Sequence, residues 1–216
     1  MKQDYLVKMT KKLILFDFDG VIANSFEVFF REFTSACTEM GFDRLNSKEA
    51  FLNLFEGNLL FNVIKAGFPP WKLRELFHRF QPRIAKANDS VSSFEGINEM
   101  LSKLSAEYPV YIVSSNLTEA VQKFLVREQV DGIQDVLGAD IETSKVKKIK
   151  RVWKKHPQAI AYYIGDTSGD VYEGKEAGAI TIAVTWGWHE KERLIRAKPH
   201  HLVHTPKELE QLLLKR

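Results

Sequence analysis

Apolar residues along the chain fall into two patterns. Short unbroken apolar runs at Lys12 to Asp17, Val110 to Ser114, Ala159 to Gly165 and Ala179 to Val184 predict strands buried on both faces. Asp135 to Gly138 predicts a short strand among them, and His201 to His204 a last edge strand. Between the runs, apolar positions recur at helical spacing. Ile97, Met100, Leu101 and Leu104 share one face of a helix over Gly96 to Ala106. Asn116-Leu-Thr-Glu119 reads as a capping box opening a helix to Val130. Thr143 or Ser144 caps a helix running through Trp153, and Thr205-Pro206-Lys-Glu208 is a box with proline at the first helical position. Strands alternating with helices predict a parallel sheet covered on both faces.

Residues 22–90 break the alternation and carry no strand signal. Phe26, Phe29, Phe30 and Phe33 recur at helical spacing, followed by Phe51, Leu52, Leu54, Phe55, Leu59, Leu60 and Phe61, and then by Leu73, Leu76, Phe77 and Phe80. This predicts an all-helical insert whose aromatic stripes form its own core. The expected organisation is an α/β core from 1–21 and 91–216, with a helical cap over 22–90.

A length of 216 residues suits one large domain or two small ones, and 44% apolar with 27% charged residues is an ordinary soluble composition. The single cysteine, Cys37, forbids an internal disulfide and a thiolate zinc site. No run approaches the ~18–20 apolar residues of a membrane span. Met1 to Lys12 is polar and charged, without the apolar stretch of a secretory signal, so a cytoplasmic protein is expected. The net charge of +3 is short of a nucleic-acid binder's footprint. The basic run Lys145-Val-Lys-Lys-Ile-Lys-Arg reads as a solvated helix face. His189, His200, His201 and His204 cluster late without a recognised metal spacing and read as core or surface histidines.

The candidate chemistry sits at the strand ends. Asp17-Phe-Asp19-Gly20 follows the first strand, and Gly20 suits a tight turn. Paired carboxylates there are costly unless something partners them. Gly165-Asp166-Thr-Ser-Gly169-Asp170 ends another strand, and ligands of open α/β sheets bind at such carboxyl ends. Two acidic clusters converging there suit a hard cation such as Mg²⁺. Ser114-Ser115-Asn116 offers hydroxyls and amides at a helix start, a place that binds anions. Lys145, in the first turn of its helix, is poorly placed for the macrodipole and makes more sense facing an anion.

In this order, Asp17-Phe-Asp19-Gly20, Ser-Ser-Asn at 114–116, Lys145 and Gly165-Asp166-x-x-x-Asp170 resemble the four motifs of the haloacid dehalogenase-like hydrolases. The insert resembles that family's helical cap, and Val184-Thr-Trp-Gly187 resembles a stretch of its phosphoglycolate-phosphatase-like members. The resemblance implies a Rossmann-like doubly wound core and a Mg²⁺-dependent phosphatase of a small phosphorylated metabolite, monomeric or homodimeric, without nucleic-acid or membrane partners. It implies Asp17 as nucleophile, Asp19 as general acid and base, and Asp17, the Asp19 carbonyl and Asp166 as metal ligands. Asp170 would be a further ligand or an orienter. Ser115 and amides around Asn116 would hold the phosphoryl group, with Ser114 the alternative one residue away, and Lys145 would neutralise charge.

Two positions depart from the family pattern. Asn24-Ser25 stands where relatives carry Asp-Ser, and Gly169 stands where many have a basic residue, which leaves the placement of Asp170 looser. Lys147 and Lys148 compete with Lys145, which the capping Thr143-Ser144 favours. Asp19 disfavours dehalogenation. A phosphonatase would need a cap lysine such as Lys65 or Lys72, a mutase would need cap cations such as Arg74, Arg79 or Arg83, and a non-catalytic phosphate sensor would bind without turnover. The cap loop Phe55, Glu56, Gly57 and Asn58 supplies candidate substrate contacts.

Overall fold

The chain's computed structural model describes residues 11–57 and 59–215, so Asn58 and the first ten residues of the polar start lie outside the described residues. Six strands, β1 (Lys11–Phe16), β2 (Val110–Val113), β3 (Ile133–Leu137), β4 (Ala159–Gly165), β5 (Ile180–Val184) and β6 (His201–Val203), form one sheet. Their order is β3-β2-β1-β4-β5-β6 and every pairing is parallel. The chain winds outward from β1 to one edge, then restarts beside β1 with β4. That reversal opens a crevice at the carboxyl ends of β1 and β4.

Between β1 and β2 the chain forms α1 (Phe26–Glu39), α2 (Lys48–Asn53), α3 (Leu59–Lys65) and α4 (Leu73–Ala87), joined by short 3₁₀ turns. The remaining helices cover the sheet: α5 (Ile97–Glu107), α6 (Thr118–Arg127), α7 (Lys145–Trp153), α8 (Ser168–Ala177), α9 (Lys191–Ala197) and α10 (Pro206–Leu214). Both faces of β1 are buried, which is why its sequence is apolar without alternation. Ile14 and Phe16 pack with α5, α6 and α10, whereas Leu13 and Leu15 pack with Ile149 and Val152 of α7.

The helix starts follow their capping chemistry, with one correction. Ser144 accepts from the Lys147 N–H, and Thr205 from the Glu208 N–H. Glu208 reaches back to the His204 N–H, one residue before the cap. The predicted box at Asn116–Glu119 does not form. Leu117 is the N-cap of α6, and the Asp140 carboxylate, from the loop after β3, takes the N–H of Thr118 at 2.7 Å and its hydroxyl at 2.9 Å. Asn116 is engaged elsewhere, and α6 ends at Arg127, short of Val130.

The helices of 26–87 surround an apolar cluster of their own. At its centre Phe51 is fully buried, with ring centroids of Phe30, Phe33 and Phe55 at 5.2, 5.4 and 5.2 Å. Trp188, from the loop after β5, inserts into this cluster and lies 4.8 Å from Phe55 and 5.1 Å from Phe29. Leu60 and Phe61 continue the apolar pattern in sequence but lie on the surface. Phe51→Ala should cost about 3–5 kcal/mol, the range for deleting a buried ring and leaving its cavity. The denaturation midpoint should fall accordingly, with an unchanged denaturant slope.

Candidate active site

β1 ends at Phe16, so Asp17 is the first residue outside the strand, and its N–H donates to the Ile164 carbonyl of β4 at 2.8 Å. That bond sets Asp17 beside the end of β4, where Asp166 follows. The chain then turns tightly: Gly20 donates to the Ala23 carbonyl with φ of +74°, a conformation that favours glycine. A Cβ at Gly20 would stand 1.9 Å from Asp166 Oδ2. Gly187 meets the same carboxylate from the other side, its notional Cβ 2.4 Å from Oδ2. The Val184-Thr-Trp-Gly187 stretch therefore lets two backbones close on Asp166, and the Trp188 N–H donates to Oδ2 at 2.7 Å.

Carboxylate oxygens of Asp17, Asp166 and Asp170 lie within 4.8 Å of one another, all three buried. Lys145 bridges two of them, at 2.9 Å from Asp17 Oδ1 and 2.7 Å from Asp170 Oδ1. The odd cation at a helix start thus faces anions, as expected, but two of them are the protein's own side chains. The basic run is not uniformly solvated. Lys145 and Lys148 turn inward from α7, whereas Lys147 and Lys150 are exposed. Lys148 is wholly buried, and its ammonium donates to the carbonyls of Ser114 and Gly138. It ties the end of β2 to the end of β3. The only sequence signal for this is its i,i+3 spacing from Lys145 beside Ile149 and Val152 on the buried face.

The register at 114–116 is settled by hydrogen bonding. Ser114 is buried, and its hydroxyl accepts from the Asn116 N–H at 3.0 Å. Ser115 faces the cavity instead. The Asn116 N–H is thereby engaged inside the turn. Its side chain donates to Asp19 Oδ2 at 2.8 Å and aims that carboxyl.

Asp170 is held tightly rather than loosely. Oδ2 accepts from the Thr167 N–H and hydroxyl, and Oδ1 from Lys145 and the Tyr163 hydroxyl. Gly169 has a different role from the basic residue of relatives. Its N–H donates to the Phe55 carbonyl at 2.9 Å, and a Cβ there would stand 2.9 Å from that oxygen and 3.1 Å from the Gly57 carbonyl. Backbone of the helical insert occupies the space a side chain would need. His189 fastens the same junction: its Nδ1 accepts from the Ser168 N–H, so its Nε2 carries the proton donated to the Leu52 carbonyl at 3.0 Å. Gly169→Lys should loosen this junction, at about 1–3 kcal/mol of overpacking. Amide exchange at Gly169 should accelerate, since its N–H bond joins the two parts.

Burial dominates the site's proton affinities. It pushes Asp17 up to about 8, with Lys145 opposing and Asp170 and Asp19 adding to the rise. It raises Asp19 to about 6, against the pull of Ser25, Lys145 and Asn116. Asp166 is raised well above the carboxylate range by burial and by its neighbours Asp170 and Asp17. Burial also works against the charge on Asp170, but Lys145, Thr167 and Tyr163 together keep it below its ordinary value. Lys145 stays strongly basic because Asp17 and Asp170 outweigh its burial.

This surplus of buried carboxylate fits a hard divalent cation. The donors are all oxygens, and Asp166 Oδ1 is buried with no hydrogen-bond partner. Asp17, Asp19 and Asp166 are the candidate ligands, and Asp170, with both oxygens engaged, is better suited to orienting Lys145. Above them opens a cavity of about 170 Å³, whose floor includes Asp17, Asp19, Ser115 and Lys145. Among the described cap residues, Lys65 and Lys72 do not line it. Arg79 pairs with Glu75, and Arg83 with Glu39.

Comparison with known proteins agrees with this geometry. The family model described as haloacid dehalogenase-like hydrolase matches residues 14–184. A phosphoglycolate phosphatase of Synechococcus elongatus is 27% identical, the match covering 92% of this chain and 95% of that protein. The pyrophosphatase PpaX of Listeria welshimeri is 23% identical, over 90% and 94% respectively. Among solved structures, a haloacid dehalogenase-like family hydrolase from Streptococcus pneumoniae superposes with a TM-score of 0.80 at 24% identity, covering 94% of this chain and 98% of that one.

Proposed function

The chain belongs to the haloacid dehalogenase-like hydrolase family, and on that premise we propose that it is a Mg²⁺-dependent phosphomonoester hydrolase acting on a small phosphorylated metabolite through an aspartyl-phosphate at Asp17. The observation that carries this reading is the floor of the crevice. Asp17 and Asp166 bring carboxylate oxygens within 4.8 Å of each other, Asp166 Oδ1 is partnerless, an Asp17 oxygen is held at 2.9 Å by Lys145, and Asp19, two residues on, is aimed by Asn116.

Asp17 attacks phosphorus, and the bond to the leaving alcohol breaks as Asp19 gives the alkoxide its proton. Asp19 then takes a proton from water, which attacks the phosphoryl group on Asp17, releasing phosphate and restoring both carboxyls. Ser115 and Lys145 hold the phosphoryl oxygens. Lys148 keeps Ser115 in place by anchoring the Ser114 carbonyl.

Attack needs Asp17 ionised while Asp19 is protonated, and burial together with the neighbouring charges sets the opposite order, about 8 against about 6. Asp17, the Asp19 backbone carbonyl and Asp166 would hold a Mg²⁺ here, and its positive charge would favour the ionised nucleophile and offset charge on the transferring group. The helices of 26–87 act as the cap that excludes water from the acyl phosphate. A cytoplasmic enzyme, working as monomer or homodimer without nucleic acid or membrane, completes the reading.

The test is phosphate release from a panel of small phosphate esters, with Mg²⁺ and with chelator. Release should fall by about a hundredfold or more on chelation, since the metal contributes several kcal/mol. Release that is indifferent to chelator removes the metal from the reading, and release from no ester removes the reaction.

A further inference from the structure

The cavity above the phosphoryl site is furnished unlike its floor. Its upper wall is built from Phe29, Phe55, Phe77, Phe80, Ile84 and Trp188. Among the described residues lining it, Lys145 is the sole cation, and that ammonium is committed to Asp17 and Asp170. Glu173 also lines the cavity, and burial raises its carboxyl to about 7. Gln81 of α4 is the one described side chain of the helical insert there that carries a polar group. Of the α4 arginines, Arg79 pairs with Glu75 and Arg83 with Glu39, and Arg74, Arg79 and Arg83 do not line the cavity.

We propose that the alcohol leaving from Asp17's substrate is apolar, about the size of one ring, and carries no second anionic group. The proposal rests on the phosphatase reading and deepens it by naming the substrate class. A carboxylate or second phosphate placed against these walls would lose its water and meet no free cation among the described residues, beside the Glu173 carboxyl. An apolar group gains by leaving water for the same surface. The volume sets an upper bound of one ring: an apolar cavity of about 150 Å³ takes up benzene, and this one holds about 170 Å³, part of which the phosphoryl group on the floor would fill. Gln81 can accept or donate one hydrogen bond, which suits a single neutral polar substituent on the ring. Phosphoglycolate and pyrophosphate, the compounds in the relatives' names, each carry the second anion that this wall disfavours.

The experiment compares benzyl phosphate, 2-hydroxyethyl phosphate and phosphoglycolate in Mg²⁺, following phosphate release. Benzyl alcohol and ethylene glycol are of similar acidity, so that pair differs in binding rather than in leaving-group ease. Benzyl phosphate should show kcat/KM about tenfold or more above the other two, with the difference mainly in KM. Gln81→Arg, on an exposed position of α4, should raise kcat/KM for phosphoglycolate and narrow the gap. Phosphoglycolate turnover as efficient as benzyl phosphate turnover in the unaltered enzyme overturns the proposal and leaves the phosphatase reading standing. Release from none of the three overturns both.

Discussion

Asp17→Asn is expected to lower phosphate release by about 10⁴-fold or more, as loss of the reacting group does in other covalent mechanisms. The fold should persist, because asparagine matches the carboxyl in shape. Stability should even rise in the presence of chelator. Burial raises Asp17 from 3.8 to about 8, so ionising it costs the folded state. A carboxyl raised in this way makes the folded protein less stable as pH climbs from about 4 towards 8, and the amide removes that share. The variant should therefore melt at or above the wild-type temperature in chelator, with its largest advantage near pH 8. Mg²⁺ should raise the wild-type melting temperature and raise the variant's by less, since a ligand bound only by the folded state stabilises it. A variant that retains full turnover places the nucleophile elsewhere.

Lys145→Met is the second large effect, and it should damage both rate and stability. The ammonium neutralises Asp17 and Asp170 at 2.9 and 2.7 Å and faces the incoming phosphoryl group. Removing one such electrostatic contact costs about 10²–10³ in kcat. It also leaves the buried Asp170 carboxylate without its cation, for which about 3–5 kcal/mol is the usual penalty. The pH dependence gives the stability loss its signature. Lys145 helps hold Asp170 below its ordinary value, so the stability it confers is present above the carboxylate range and is lost as pH falls through Asp170's folded value. The gap between wild type and variant should be wide at pH 7 and shrink towards pH 3. Unfolding curves at several pH values would read this, and a gap independent of pH would mean that packing rather than charge is lost.

Asp17 and Asp166 were legible because each follows an apolar run too continuous to be anything but a buried strand, and a carboxylate there demands a partner. Gly20 was legible as a turn residue, although its closeness to Asp166 was not. Ser114 and Ser115 could not be separated from spacing alone, since only the Asn116 N–H turning onto the Ser114 hydroxyl decides which one faces the cavity. The box at Asn116–Glu119 failed because Asp140, distant in sequence, competes for the same helix start. The charge run does not reveal that Lys148 is buried, because it looks alike in sequence whichever face of its helix is buried.

The aromatic stripes were read as core, and Phe51 is that. Phe29, Phe55 and Phe80 also wall the cavity, a double use that no periodicity distinguishes. Gly169 departs from the family pattern because the insert's backbone occupies the space a side chain would fill.

The sequence by itself determined the alternation of strand and helix, the helical character of the insert and the order of the chemical groups. Those depend on apolar periodicity and on residue type, which are local properties. Only the tertiary structure decided that the two acidic loops meet within 4.8 Å, that Lys145 rather than Lys147 reaches them, and that the wall facing the phosphoryl site is apolar. Those depend on the crossover that sets β4 beside β1 and on the packing of the insert over their ends. Such contacts join residues far apart in the chain, Asp17 with Lys145 and Asp166 by more than a hundred positions, and no local pattern records them.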